Sequence, residues 1–187
     1  MATAPTSRPN WDQLFDTALS QEGLFTTHQA ADAGYSPQLL VHYLHTGRAT
    51  RPVRGVYRLV HFPAGEHEDL VAAWLWSDRV GVLSHQTALA LHDLSDVLPS
   101  KIHLTVPTEW KKRRLKVPVG VVLHYADVPQ HERAWFGAVP ITNPIRTIVD
   151  CASDHLSDDL LQQAVQQASR RGLATSAELS AVGSAFA

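Results

Sequence analysis

Four arginines lie within a short segment that contains no acidic residue. The segment covers residues 34–64, and its arginines are Arg48, Arg51, Arg54 and Arg58. A local excess of positive charge suits the phosphate backbone of DNA, because binding releases the counterions condensed on the phosphates. The whole chain of 187 residues has a formal net charge of −2, so any basic surface must be local. DNA binding is therefore our first hypothesis.

A helix is predicted just before these arginines, over residues 36–46. Ser36 is a favourable N-cap, and Pro37 suits the first helical turn, where its missing N–H is not needed. Gly47 can end the helix in the left-handed conformation. A short hairpin over residues 50–59 follows at once, so the arginines are expected beside the helix.

The two faces of this helix differ in chemistry. Successive residues are about 100° apart around a helix, which groups three apolar side chains on one face: Leu40, Tyr43 and Leu44. The opposite face is polar and carries Gln38, His42 and His45. An ordinary amphipathic surface helix shows the same pattern, so it is the neighbouring arginines that favour DNA binding.

The elements around this helix predict a winged helix-turn-helix domain. Apolar spacing from Trp11 to Leu19 predicts a first helix, and Thr26 or Thr27 caps a short second helix that closes at Gly34. The helix 36–46 is then the third, and the hairpin is the wing. We assign this domain to residues 1–63.

Residues 66–187 are predicted to form a mixed α/β domain. Apolar patterns and caps predict helices over 66–78 and 85–94, one that starts at Pro144, and a last long one that ends near Arg170. Strands are predicted over 80–83, 101–106, 117–124 and 138–142. Capping-box spacing from Thr175 to Glu178 predicts a small terminal helix. The fold class is therefore α+β: a winged helix-turn-helix domain followed by a mixed α/β domain.

The candidate DNA contacts divide by chemistry. Gln38 and His42 point away from the predicted core and suit base edges, since Gln can bond to adenine through two hydrogen bonds. The others suit phosphates, or a minor groove at the wing tip: Ser36, Arg48, Thr50, Arg51, Arg54 and Arg58. For Arg48 and Arg58 the alternative is simple solvation of a strand edge.

A second basic segment lies in a predicted loop between strands. Its residues are Lys111, Lys112, Arg113, Arg114 and Lys116. It is either a second contact for nucleic acid or a partner, or a charged loop that serves solubility. The sequence leaves both interpretations open.

We predict no catalytic residue, no metal site and no cofactor. The chain has 11 histidines, and the pairs His42/His45 and His85/His92 have helical spacing, but no carboxylate or cysteine completes either set. Glu109-Trp110-Lys111 has the Glu-x-Lys form of restriction-type nucleases. It falls in a predicted loop, whereas metal-dependent cleavage needs its carboxylates together on a rigid strand.

Composition predicts a cytoplasmic protein. Apolar residues make up 44% of the chain and charged residues 18%, as in folded globular proteins. The single cysteine, Cys151, excludes an internal disulfide and fits a reducing compartment. No basic-then-apolar leader and no long apolar run is visible, so we expect no membrane contact.

Three further segments carry a family resemblance. They are the wing RGVY (54–57), the stretch VLSHQTALALHDL (82–94) with IHLTVP (102–107), and ITNPIRTIVDCA (141–152). In this order they resemble the AbiEi family, the antitoxins of abortive-infection AbiE toxin–antitoxin systems of type IV. The resemblance runs from about residue 12 to residue 172.

The resemblance implies a function as well as a fold. It implies a winged helix that represses its own operon by binding double-stranded DNA at inverted repeats in its promoter, and an α/β domain that carries the antitoxin activity. The functional partner is a nucleotidyltransferase-like toxin, and direct contact with that toxin is left open. Leu39 and Val41 stand where relatives tend to have Arg or polar residues. The groove-facing surface is thus less basic. Either the affinity for DNA is modest, or a homodimer on DNA supplies the rest through avidity.

Two other functions remain open at this point. The first is a protein-interaction module whose winged helix no longer reads DNA, which the apolar Leu39 and Val41 favour. The second is a metal-dependent nuclease that uses Glu109, with Asp93 or Asp96 as its partner.

Overall fold

The structure, a computed structural model, describes residues 8–175, 177 and 178. The chain forms two compact units, residues 1–79 and 80–187. This division falls later than the predicted boundary at residues 63–66. The reason is that the helix Glu68–Trp76 contacts all three strands of the first unit, and its buried side chains complete the packing there.

The first unit has the element order predicted from the sequence, with one short strand, β1, and one helix, α4, added. A three-stranded antiparallel sheet has the order β1-β3-β2. The elements are α1 (Trp11–Leu19), β1 (Leu24–Thr26), α2 (Thr27–Asp32), α3 (Pro37–His45), β2 (Ala49–Val53), β3 (Val56–Leu59) and α4 (Glu68–Trp76).

Local hydrogen bonds explain where α2 and α3 begin and end. Thr26 caps α2, and Gln29 returns the bond to the Thr26 N–H, which makes a capping box. Ser36 caps α3 by accepting from the Leu39 N–H at 3.2 Å. Gly47 follows α3 with a φ of 67°, a conformation that glycine adopts at little cost. The predicted caps of α3 are confirmed.

The core of the first unit lies between these helices and the sheet. Leu40 is buried there, and Tyr43 and Leu44 pack partly buried against the same cluster, so the predicted apolar face of α3 is confirmed. Phe25 of β1 stacks on Tyr57 of β3 with ring centroids 5.7 Å apart. The helix face that carries Leu40 is therefore held against the sheet, and the opposite face must point outward.

The second unit is a five-stranded mixed sheet with helices. The strand order is β6-β5-β4-β8-β7; the pairs β5/β6 and β4/β8 are parallel, and the pairs β4/β5 and β7/β8 are antiparallel. The elements are β4 (Val82–Leu83), α5 (His85–Leu91), β5 (Ile102–Val106), β6 (Val121–Tyr125), β7 (Arg133–Phe136), β8 (Val139–Thr142), α6 (Pro144–Ser153) and α7 (Asp158–Arg170). Two 3₁₀ helices cover Thr108–Lys112 and Gln130–Glu132.

Helices α5, α6 and α7 share one apolar core in the second unit. It includes Leu89, Ile148, Cys151 and Ala164, all buried. Asn143 caps α6 by accepting from the Arg146 N–H at 2.8 Å, as predicted. Thr175 and Glu178 make the predicted reciprocal capping bonds, while the rest of the predicted terminal helix lies outside the described residues. A mixed α/β fold is confirmed.

One strand of the second unit was not predicted. Strand β7 is an edge strand whose Trp135 is 62% exposed, so it lacks the apolar alternation that marks a half-buried strand. Helix α5 is also shorter than predicted, because the chain turns at Asp93 with a φ of 54°. Within the described residues, no helix is long and apolar enough to cross a membrane.

Candidate nucleic-acid interface

The polar face of α3 is exposed, as the sequence predicts. Gln38, His42 and His45 are all exposed, on the side opposite the buried Leu40. Ser36 is half-buried, and its Oγ accepts from the backbone of α3. Its hydroxyl proton can still be donated to a phosphate, as at other helix N-termini that meet DNA.

Three residues separate the end of α3 from the start of the hairpin β2–β3. Thr50, Arg51 and Arg54 are exposed along it. Pro52 has no N–H for the strand ladder, and the register shifts between Thr50 and Val53. Arg51 therefore lies in the irregular part of this strand, where the ladder is interrupted.

The tip of this hairpin is tied to the start of α2. Gly55 has a φ of 85°, which lets the chain reverse next to Arg54. The Gly55 carbonyl accepts from the Thr27 N–H at 3.0 Å and from the Thr27 hydroxyl at 3.3 Å. Arg54 is thus an exposed cation on an anchored turn.

Arg48 joins the end of α3 to the base of the hairpin. Its guanidinium lies 5.5 Å from the centroid of the Tyr43 ring, a cation–π contact worth roughly 0.5–1 kcal/mol at an exposed site. The backbone N–H of Arg48 donates to the Tyr43 carbonyl at 2.9 Å. The side chain is exposed, so it can meet an anion while it rests on the ring.

Arg58 differs from the other three arginines. Its Nε donates to the Glu68 carboxylate at 2.7 Å, its other nitrogens donate to the carbonyls of Phe62 and Leu59, and its side chain is only 17% exposed. The structure therefore does not support a phosphate contact for Arg58. It does not support simple solvation of a strand edge either, because the guanidinium holds α4 to the sheet.

Leu39 and Val41, the two apolar residues noted on this helix in the sequence, have different surroundings. Leu39 is partly buried and packs against the core of the first unit. Val41 is 49% exposed. Of these two residues, only Val41 places its apolar side chain on the exposed surface of α3.

The second basic segment is exposed over all five of its predicted residues. Arg113 lies over the Trp110 ring at 4.4 Å from the centroid and pairs with Glu109 at 3.6 Å. Glu109 lies on the 3₁₀ helix Thr108–Lys112, and its side chain is 73% exposed. It is not on a strand, so the arrangement expected for a nuclease is not formed around it.

Arg146 and Asp150 form an ion pair along α6. Arg146 Nε donates to Asp150 Oδ1 at 2.7 Å, and the same guanidinium pairs with Glu132 just before β7. The three side chains are 11–30% exposed. This pair therefore links α6 to the edge of the sheet.

One cluster of chemically active side chains was not predicted at all. The imidazole nitrogens of His85, His103 and His124 lie within 4.8 Å of one another. Burial lowers the pKa of His85 and of His124 to about 4 and also lowers the pKa of His103. Their positions are 18 and 21 residues apart on three elements, so helical spacing could not reveal them.

A family model matches the segment that carries the candidate interface. Residues 12–60 match the family described as "Transcriptional regulator, AbiEi antitoxin". This segment spans α1 to β3 and includes every predicted contact of the first unit. The predicted resemblance to AbiEi antitoxins is confirmed over these residues. The family is one of regulators rather than enzymes.

A solved structure is similar to nearly the whole chain. The crystal structure of the RV2827C protein from Mycobacterium tuberculosis superposes with a TM-score of 0.50, at 16% identity, over 97% of this chain and 84% of that one. At this identity the likeness supports the fold alone. No curated protein matches the chain in sequence.

Proposed function

We propose that this protein is a DNA-binding transcriptional autorepressor and the antitoxin of an AbiE-like toxin–antitoxin system. The order α1-β1-α2-α3-β2-β3 with an antiparallel sheet supports a winged helix-turn-helix domain as the fold of the first unit. In this proposal α3 is the recognition helix and the hairpin β2–β3 is the wing. The family description of residues 12–60 supports both halves of the proposal.

The observation that carries the proposal is the exposed polar face of α3 beside an exposed arginine wing. Arg51 and Arg54 are exposed, and neither has an acidic partner within the described residues. Arg58, on the same hairpin, differs because its guanidinium is already paired with a carboxylate. Two cations without such a partner, next to a polar helix, fit a duplex, whose major groove is roughly 12 Å wide and admits a helix.

The roles follow from chemistry and position. Gln38 and His42 read base edges, and Ser36, Arg48, Thr50, Arg51 and Arg54 hold the phosphates or enter the minor groove. A homodimer on inverted repeats doubles this small contact set and raises the affinity through avidity. The second unit carries the antitoxin activity against a nucleotidyltransferase-like toxin, with or without direct contact.

Autorepression is tested by a promoter fusion in cells. The region upstream of the gene drives a reporter, and expression of the intact protein is expected to lower the reporter signal. The double variant Arg51→Ala, Arg54→Ala is expected to lose this repression while it remains folded. Repression that survives this variant would overturn the proposed wing.

A matched control examines the second basic segment. The double variant Lys111→Ala, Lys112→Ala removes the same amount of charge from the second unit. Retained repression would show that this segment makes no contact with DNA that repression needs, which leaves a partner contact or solubility as its role. Lost repression would make it a second nucleic-acid contact, which the sequence left open.

The alternative function is a protein-interaction module. Two observations favour it: the exposed Val41 on α3, and an open cavity of about 370 Å³ in the first unit. Aromatic side chains dominate its walls: Trp11, Phe15, Tyr43 and Phe62. This function is favoured if expression of the protein leaves the reporter signal unchanged and the intact protein has no preference for its own upstream DNA.

A further inference from the structure

Three histidines meet at one end of the sheet in the second unit. His85 begins α5 directly after β4, His103 lies on β5, and His124 lies on β6. Strands β4, β5 and β6 are neighbours in the sheet, with β5 in the centre. His85 and His103 are buried and His124 is half-buried, so the sheet register brings together three imidazoles away from bulk water.

The hydrogen bonds within this cluster fit three neutral imidazoles. His103 Nδ1 lies 2.9 Å from His124 Nε2, so one proton at most can bridge them. The His85 ring stacks on the His124 ring with centroids 3.5 Å apart. His85 Nδ1 contacts the Ser84 hydroxyl at 2.9 Å, and that hydroxyl in turn accepts from Thr105. Each neutral imidazole keeps one nitrogen lone pair, which is the form that binds metals.

Asp150, which lines a cavity together with two of these histidines, independently indicates that a bound water or ion belongs here. A cavity of about 420 Å³ is lined by His85, His124, Asp150 and Asp154, among others. Asp150 Oδ1 accepts from Arg146, whereas Asp150 Oδ2 is buried with no hydrogen-bond partner within the described residues. A buried carboxylate oxygen without a partner calls for a water or an ion beside it.

We propose that His85, His103 and His124 bind one divalent transition-metal ion, with Zn²⁺ as the best fit. Three imidazoles are a known ligand set for tetrahedral zinc, and imidazole nitrogens do not suit Mg²⁺ or Ca²⁺. The fourth position faces the cavity and is filled by water or by a carboxylate oxygen of Asp150 or Asp154. This site does not depend on DNA binding by the first unit.

Metal binding requires a small rearrangement of the rings. A coordinating lone pair lies in the plane of its ring, so two stacked rings cannot both aim at one ion, and the His85 ring must turn out of the stack. The Ser84 hydroxyl orients His85 through Nδ1 and leaves Nε2 for the metal. With bonds of roughly 2.0–2.1 Å in a tetrahedron, ligand nitrogens lie roughly 3.3 Å apart. His103 and His124 therefore separate by a few tenths of an ångström.

The test uses the full chain, purified without a histidine tag and stripped with a chelator. Titration calorimetry with Zn²⁺ is expected to show one equivalent bound, with a rise in the melting temperature, because the ion joins α5, β5 and β6. Co²⁺ is expected to give the intense visible bands of tetrahedral coordination, and Mg²⁺ is expected to have no effect. An unchanged melting temperature with no heat of Zn²⁺ binding would overturn the proposal.

Variants locate the site. His103→Asn and His124→Asn are each expected to abolish stoichiometric Zn²⁺ binding, whereas His131→Asn, at an exposed position of the same unit, is expected to leave it unchanged. Zn²⁺ binding that survives both cluster variants would place the metal elsewhere. Should these variants fail to fold, X-ray absorption of the unmutated zinc-loaded protein decides. Three imidazole ligands are expected, and fewer than three would contradict the site.

Discussion

The two units of this protein keep their reactive side chains in opposite environments. The first unit displays cations and polar groups on α3 and its hairpin, where Arg51, Arg54 and Gln38 are exposed. The second unit buries its polar chemistry, with His85 and His103 inside and the Arg146–Asp150 pair mostly covered. Exposed charge suits a large ligand that arrives from outside, and buried imidazoles suit a small ion. This contrast favours two separate roles: the macromolecular interface proposed for the first unit and the enclosed metal site proposed for the second.

The largest effect is expected where a buried pair loses its cation. Arg146→Met leaves Asp150 and Glu132 without their partner, and we expect the free energy of unfolding to fall by about 3 kcal/mol. Chemical denaturation of the intact protein measures this. Arg170→Met, at the exposed end of α7, is the control and should change stability by less than about 0.5 kcal/mol. Equal effects of the two variants would mean that the buried pair contributes nothing.

The next effect separates the arginines of the first unit. Arg58→Met removes the partner of Glu68 and is expected to lower the free energy of unfolding by about 2 kcal/mol, since the pair is only partly exposed. Arg51→Met, on the same hairpin, should leave stability nearly unchanged.

The DNA affinity of the same two variants should differ in its salt dependence. The folded Arg58 variant should keep the salt dependence of the unmutated protein, whereas the affinity of the Arg51 variant should depend less on salt. The reverse pattern would show that the assignment of structural and DNA-contacting arginines is wrong.

Base reading by α3 is tested at a single position. Gln38→Ala is expected to reduce discrimination at one base pair by about 1–3 kcal/mol, because a bidentate contact to adenine is lost. Competition between the natural operator and its single-base variants measures this loss. An equal loss of affinity for all of these operator variants would instead indicate that Gln38 contacts a phosphate.

A smaller and uniform effect is expected at the wing tip. Arg54→Ala should weaken binding by a similar factor on every sequence and lower the slope of log K against log salt by about one. The measurement is a salt titration of binding on specific and scrambled DNA. Unchanged binding on both would remove Arg54 from the interface.

The smallest effect concerns acid sensitivity in the second unit. His92 donates through Nε2 to the Thr142 carbonyl at 2.7 Å, and burial lowers its pKa, with the charge of Arg171 acting in the same direction. The unfolded chain then binds more protons, so the stability from His92 is lost as the pH falls through the unfolded value of about 6.5. His92→Gln keeps a donor and should flatten the pH dependence of the melting temperature near this value. An unchanged pH profile would contradict the lowered pKa.

The exposed interface could be predicted because its information is local. The caps of α3, the Leu40 face and the Gln38 face all follow from residues within one helix and its ends. The Arg146–Asp150 pair is local in the same sense, since its members are one helical turn apart. The role of Arg58 was missed, because its partner Glu68 lies on a helix assigned to the other domain.

The histidine cluster could not be predicted because its information is not local. His103 and His124 meet only when β5 and β6 pair in their particular register, with His103 opposite Val122 and Thr105 opposite His124. His85 joins them because α5 begins at the end of β4, next to β5 in the sheet. No spacing rule connects positions 85, 103 and 124 before the strand order is known. Sheet topology, rather than composition, creates this site.

Binding of the purified protein to its own upstream DNA, against scrambled DNA at two salt concentrations, tests the central claim most directly. We expect preferential binding to the upstream fragment, and this binding should weaken steeply as salt rises because several phosphate contacts are broken. Equal and weak binding to both fragments would contradict it, and α3 with its hairpin would then be a scaffold for protein interaction.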